Sequence, residues 1–173
     1  MNAYFRREIA EYANYHRDWW NCAMHVFGIV FLFTGSILPL SLWPVSLFGV
    51  QTTVATIAVL PVLAYWLWLD FSVGLGILGA AIIMLATALM IVNSVSPAAV
   101  WSITAVLIVI GFVCQFVGHK YFERRQPALK DNPTHLLLGP MFVMAKLFIA
   151  LGFRSDIAAL IEQPLQPAPH ARS

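Results

Sequence analysis

The chain has 173 residues, 60% of them apolar and 10% charged, with a mean hydropathy of +0.78 and a formal net charge of +2. Soluble domains carry about a quarter charged residues, so this composition excludes an ordinary soluble protein, and no nucleic-acid partner is expected of it. Between Trp19 and His119 there is no Lys or Arg, and Asp70 is the only acid; such a stretch belongs in a lipid bilayer.

The first residues, "MNAYFRREIAEYANYHRDWW", are too polar and aromatic for a cleavable signal peptide. They predict a short helix lying in the membrane interface, with Tyr4, Tyr12, Tyr15, Trp19 and Trp20 as its aromatic belt. The apolar region that follows divides into spans of about 20 residues, the length that crosses ~30 Å of hydrocarbon. They are expected at 24–43, 47–69, 71–92 and 98–118. Trp43-Pro44 breaks the first from the second, Asp70 the second from the third, with Trp66 and Trp68 as anchors, and "NSVSPAA" the third from the fourth. Pro97 suits a helix start, whereas Pro39 and Pro61 fall inside spans and are expected to kink them.

Beyond the spans, "THLLLGPMFVMAKLFIALGF" predicts a segment lying in the interface, interrupted at Gly139-Pro140 and carrying Lys146 mid-run. The tail "EQPLQPAPHARS" is Pro-rich, and 161–173 is expected to be disordered. The predicted fold is therefore all-α: a polytopic four-helix transmembrane bundle with interfacial N- and C-terminal helices, forming one domain over 1–160.

All ten Lys and Arg lie outside the spans: Arg6, Arg7 and Arg17 before them, and Lys120, Arg124, Arg125, Lys130, Lys146, Arg154 and Arg172 after. Positive charge marks the cytoplasmic side, and an even number of crossings brings both ends to one face, so both termini are expected in the cytoplasm. Cys22 and Cys114 are too few for a disulfide framework and read as small packing residues.

Four of the five histidines then share one edge of the bundle. His16 precedes the first span, His25 lies in its first turn, His119 ends the fourth, and His135 follows one short excursion later; His170 falls in the tail. Gln115, His119 and Glu123 stand at i, i+4 and i+8, and Asn21 and His25 at i and i+4, so each set occupies one helix face. His16 and His25 are nine apart and reach one centre only if the chain bends near 18–21. Singly, each histidine reads as an interfacial anchor, and Asn21, Gln115 and Glu123 as helix–helix hydrogen-bonding groups. As a group, four imidazoles beside carboxylates suit a transition metal.

These residues also carry a resemblance. "YHRDWWNCAMHVFG", and "QFVGHKYFERRQPALKDN" followed by "GPMFV", resemble the two signatures of the membrane 2-hydroxy fatty acid dioxygenases over nearly the whole chain. The resemblance implies an iron(II)-dependent enzyme of fatty acid α-oxidation, using dioxygen to remove one carbon from a 2-hydroxy fatty acid. It also implies His16, His25, His119 and His135 as iron ligands and Asn21, Gln115, Glu123, Asp131 and Asn132 as supporting polar residues. The chain departs from the pattern at Lys146, where many members carry an acid. A bacterial inner membrane is expected rather than the endoplasmic reticulum. Two other functions fit parts of the pattern: a b-type haem electron carrier with two axial histidines, and a small transporter or structural membrane protein, for which Asp70 alone makes a poor ion path.

Overall fold

The computed structural model describes residues 1–123 and 135–162. Its first helix, α1 (Ala3–Asn14), starts where the Asn2 side chain accepts the Phe5 N–H at 2.7 Å, the usual way to satisfy an orphan donor at a helix start. Phe5, Ile9, Tyr12 and Ala13 recur at helical spacing and form its buried stripe. Glu8 lies in the same stripe and is buried with it.

Asp18 caps the next helix, α2 (Trp19–Leu40), by accepting the Asn21 N–H at 3.0 Å. The expected bend thus occurs slightly earlier, in the link between Asn14 and Trp19. At the far end of α2 comes an antiparallel hairpin of β1 (Pro44–Leu47) and β2 (Val50–Thr53). Phe48 at φ 51 and Gly49 at φ 82 form its two-residue turn, the left-handed pair whose twist matches a hairpin.

The hairpin corrects the second expected span. Apolar length alone placed Leu47 within a helix, but Gln51, Thr52 and Thr53 pair with Ser46, Val45 and Pro44 instead. The helix α3 (Val54–Leu69) starts only after Thr53 and has 16 residues, ~24 Å at 1.5 Å per residue. Among the described residues, three helical stretches are long and apolar enough to cross a bilayer, Trp19–Leu40, Phe71–Ser94 and Pro97–Phe122, or four if the bent pair His135–Ala150 and Ser155–Glu162 counts as one span. Pro39 and Pro61 lie inside α2 and α3.

Asp70 forms a one-residue corner between α3 and α4 (Phe71–Ser94), its carboxylate accepting the Val73 N–H at 2.9 Å. α5 (Pro97–Val117) is capped by Ser96 with Pro97 at its first position, and continues as a π-helical turn, Gly118–Glu123. α6 (His135–Ala150) and α7 (Ser155–Glu162) meet at a 115° bend, where Gly152 (φ 82) and Arg154 (φ 59) turn the chain. Pro140 lies inside α6 and does not interrupt it as expected; membrane helices tolerate an interior proline where neighbouring groups satisfy the freed backbone. Gly139 is needed for proximity, since a Cβ there would stand 2.9 Å from Ile29 Cδ1.

Two contacts fix which ends coincide. The Asn2 N–H donates to the Leu69 carbonyl at 2.9 Å, and Arg154 binds both Asp70 oxygens at 2.6 and 2.9 Å. The α3–α4 corner, α1 and the α6–α7 bend therefore gather at one end of the bundle, opposite the hairpin. α2 and α5 approach closely because glycines face each other: a Cβ on Gly28 would meet the Gly111 carbonyl at 3.0 Å, and one on Gly35 would meet Ile108 at 3.1 Å. Small residues at such a crossing are how membrane helices pack without a hydrophobic driving force.

Candidate metal centre

The link after α1 turns back on itself, the His16 N–H donating to the Ala13 carbonyl at 3.1 Å, and this aims the His16 ring inward. Its Nδ1 lies 2.9 Å from the Tyr12 carbonyl; a carbonyl only accepts, so Nδ1 carries the proton and Nε2 the lone pair. His16 Nε2 is buried without a hydrogen-bond partner among the described residues. In α2 the arrangement repeats, His25 Nδ1 donating to the Asn21 carbonyl at 3.1 Å and leaving Nε2 as the lone-pair atom. His119 enters from the π-helical turn, a distortion often found at functional sites.

The three rings meet edge to face, with centroids 4.3 Å (His16–His25), 4.7 Å (His25–His119) and 5.1 Å (His16–His119) apart. One ring nitrogen from each lies within 4.8 Å of the others, and all three residues are buried. Burial, reinforced by the neighbouring His25 imidazole, pushes the His16 pKa down to about 2, so it stays neutral at physiological pH. Neutral imidazoles whose second nitrogen is held by a backbone carbonyl are the usual donors to a transition metal. The donor set therefore fits a divalent transition metal, iron(II) among them. It does not fit a haem between two of these rings, because centroids 4.3 Å apart leave no room for a macrocycle.

His135, at the start of α6, is not among the three residues whose ring nitrogens lie within 4.8 Å of one another, though it is near enough to His16 to act on its charge. Tyr12 touches both, stacked on His16 at 4.2 Å and meeting the edge of His135 at 5.5 Å. His135 Nε2 faces Glu8 Oε2 at 3.6 Å, and His135, Glu8 and Glu11 form a second group with ligand atoms within 4.8 Å.

Of the polar residues expected around the site, Asn21 is fully buried, donating from Nδ2 to the Tyr15 carbonyl at 3.3 Å, and its side chain lies against Gly118. Gln115 lies against α2, its Nε2 standing where a Cβ on Gly28 would come within 2.7 Å. The Glu123 side chain, Asp131, Asn132, Arg124, Arg125, Lys130 and His170 lie outside the described residues. Lys146 is exposed, its Nζ 5.5 Å from the Phe142 ring. Of the expected aromatic belt, Trp19 and Trp20 are exposed, whereas Tyr12 is buried inside the site. Cys22 donates to the His16 carbonyl at 3.2 Å, and neither Cys22 nor Cys114 is in a disulfide.

Sequence reasoning missed Glu8, Glu11 and the inward role of Tyr12. A signal existed for Glu8, an acid placed three residues after Phe5 and four before Tyr12 on an apolar stripe.

Residues 2–151 match the model of a family described as 2-hydroxy-palmitic acid dioxygenase Mpo1-like. The chain belongs to this family. Among relatives of this Mpo1-like chain, 2-hydroxy-palmitic acid dioxygenase MPO1 of Saccharomyces cerevisiae is 31% identical over 163 residues, covering 93% of this chain and 89% of the yeast protein. No solved structure matches the Mpo1-like chain described here.

Proposed function

We propose that the protein is an iron(II)-dependent dioxygenase that shortens long-chain 2-hydroxy fatty acids by one carbon. The observation that carries this reading is the buried trio His16, His25 and His119, with ring nitrogens within 4.8 Å of one another, in a chain whose yeast relative is named for 2-hydroxy-palmitic acid.

His16, His25 and His119 would hold the ion, and iron(II) would supply the electrons and open coordination positions that dioxygen activation requires. The chain's own residues do the rest. The Tyr12 and Asn21 carbonyls fix the tautomers of His16 and His25, so that both present Nε2. Imidazole donors carry no negative charge, so a bound cation's positive charge would stay uncompensated and favour an anionic ligand. A 2-hydroxy carboxylate fits, with adjacent carboxylate and hydroxyl oxygens for chelation. α1 and α6 pack over the trio through Tyr12 and Phe142, whose rings lie 4.2 and 5.5 Å from His16, and they exclude water from it. The acyl chain lies among the apolar spans, its head at the end of the bundle where the histidines gather. The reaction balances as one 2-hydroxy acid and one dioxygen giving the acid one carbon shorter, carbon dioxide and water.

The site end also carries Arg6, Arg7, Arg17, Lys120, Lys146 and Arg154, which orient it to the cytoplasm of a bacterial inner membrane. Detergent-purified protein loaded with iron(II) under air is expected to convert a long-chain 2-hydroxy acid to the acid one carbon shorter, and to leave the unhydroxylated acid nearly untouched. Zinc in place of iron should abolish turnover, having no redox chemistry. Equal activity on the unhydroxylated acid, or turnover without iron, would refute the proposal.

A further inference from the structure

In contact with Tyr12, as His16 is, lies a second set of donors that the proposed reaction does not use. Glu8 and Glu11 are three residues apart on α1 and so neighbours on its surface. His135, the first residue of α6, is brought against them, with ligand atoms of all three within 4.8 Å.

Two features set this group apart from an ordinary acidic surface. Glu8 is 3% exposed, and a buried carboxylate is costly unless compensated; Arg7 binds its Oε1, at 3.1 and 2.9 Å, from a side chain that is 71% exposed. Oε2 is turned instead toward His135. That histidine is also 3% exposed, and neither ring nitrogen has a hydrogen-bond partner among the described residues. The 3.6 Å between His135 Nε2 and Glu8 Oε2 exceeds the ~2.7–3.2 Å of a normal hydrogen bond. It is nearer the roughly 3.0–3.4 Å that separates two ligands each ~2.1 Å from one ion at octahedral or tetrahedral angles.

We propose that Glu8, Glu11 and His135 form a second cation site, distinct from the His16, His25 and His119 trio, which takes a divalent metal such as manganese(II) or iron(II). This rests on the proposed function only in assigning a separate ion to the trio. Two carboxylates and one imidazole make a harder, more anionic donor set than three imidazoles, so the two sites rank metals differently, the carboxylate set favouring manganese. A cation there offsets the two acids beneath the first turn of α6 and fastens that helix to α1.

The test counts metal on protein purified in detergent, stripped by chelator and dialysed anaerobically against iron(II) or against manganese(II). Wild type is expected to hold about two iron ions per chain, and Glu8→Gln, Glu11→Gln and His119→Ala about one each. Manganese affinity should fall at least tenfold in Glu8→Gln and Glu11→Gln and stay near wild type in His119→Ala. Glu11 is only half-buried, so Glu11→Gln keeps the test decisive if Glu8→Gln misfolds. A single iron in wild type, lost in both His119→Ala and His135→Ala but kept in Glu11→Gln, would overturn the second site and leave the proposed function standing. Two irons undiminished by either glutamine variant would overturn it as well. No bound iron in any form would sink both readings.

Discussion

The ring of Tyr12 lies flat on the imidazole of His16, with centroids 4.2 Å apart and planes 10° from parallel. The Tyr12 carbonyl meanwhile accepts the His16 Nδ1 proton at 2.9 Å, so one residue of α1 fixes both the tilt and the tautomer of a candidate ligand. Removing the ring in Tyr12→Ala should cost about 3–5 kcal/mol, as for other buried aromatics, and release the His16 ring. Tyr12→Phe keeps the stack and should stay much nearer wild type. Thermal unfolding in detergent with iron content measured in parallel would check this; equal iron content in both variants would show that the stack does not position His16.

A methyl group on Gly118 would run into the Asn21 side chain and stand 3.3 Å from Met24 Cβ. Gly118→Ala should therefore push the π-helical turn, and His119 with it, away from α2. Overpacking of this kind costs about 1–3 kcal/mol, and the displaced ligand should lower iron affinity by ~10-fold or more. Gly79, on α4, has nothing within 4 Å of its added Cβ, so Gly79→Ala should leave iron binding unchanged. Matching affinities in the two variants would disprove the steric argument.

Asp70 ties three parts of the chain together, accepting from Val73, Arg154 and the Met1 amine. Burial alone would raise its pKa, but hydrogen bonds from Arg154, Val73 and that amine outweigh burial and bring it from the ordinary 3.8 down to about 2. Arg154 lowers Asp156 in the same direction. Because the folded pKa lies below the unfolded one, the stabilisation is fully present above pH ~4 and is lost as pH falls toward 2. Asp70→Asn should cost about 2 kcal/mol at neutral pH and flatten the pH dependence of the melting temperature in that acid window. An unchanged acid slope would mean that Asp70 does not carry it.

The hairpin and the histidine end lie at opposite ends of the bundle, and Phe48 at the hairpin tip is 98% exposed. With Cys22 and Cys114 replaced by alanine, Phe48→Cys should react with a membrane-impermeant maleimide added to intact cells. Tags on either terminus should become accessible to protease only after the inner membrane is opened. Termini found on opposite faces would contradict the cytoplasmic placement of the site.

Local pattern settled much of this protein. Apolar run length and the absence of charge over Trp19–His119 identify a helical membrane protein, because an unpaired charge in hydrocarbon is costly wherever the chain folds. Asp70 and the "NSVSPAA" turn marked helix boundaries, and side-chain oxygens of Asp70 and Ser96 cap α4 and α5 there by accepting a nearby N–H. Topology predicts His16, His25, His119 and His135 at one edge, and the first three do meet there.

What sequence periodicity could not decide was contact between segments far apart in the chain. The hairpin escaped it because "VSLFGVQTT" is apolar enough to extend a span, and only strand pairing across Phe48-Gly49 distinguishes the two states. That His135 comes within reach of Glu8 depends on how α6 settles on α1 more than 100 residues earlier, with Gly139 fitting closely against Ile29 and Tyr12. Burial of Tyr12 and Glu8 is decided by the same packing. An amphipathic stripe records that a face is covered, and the tertiary structure alone determines by what, because close-packed contact is a property of two surfaces and not of one.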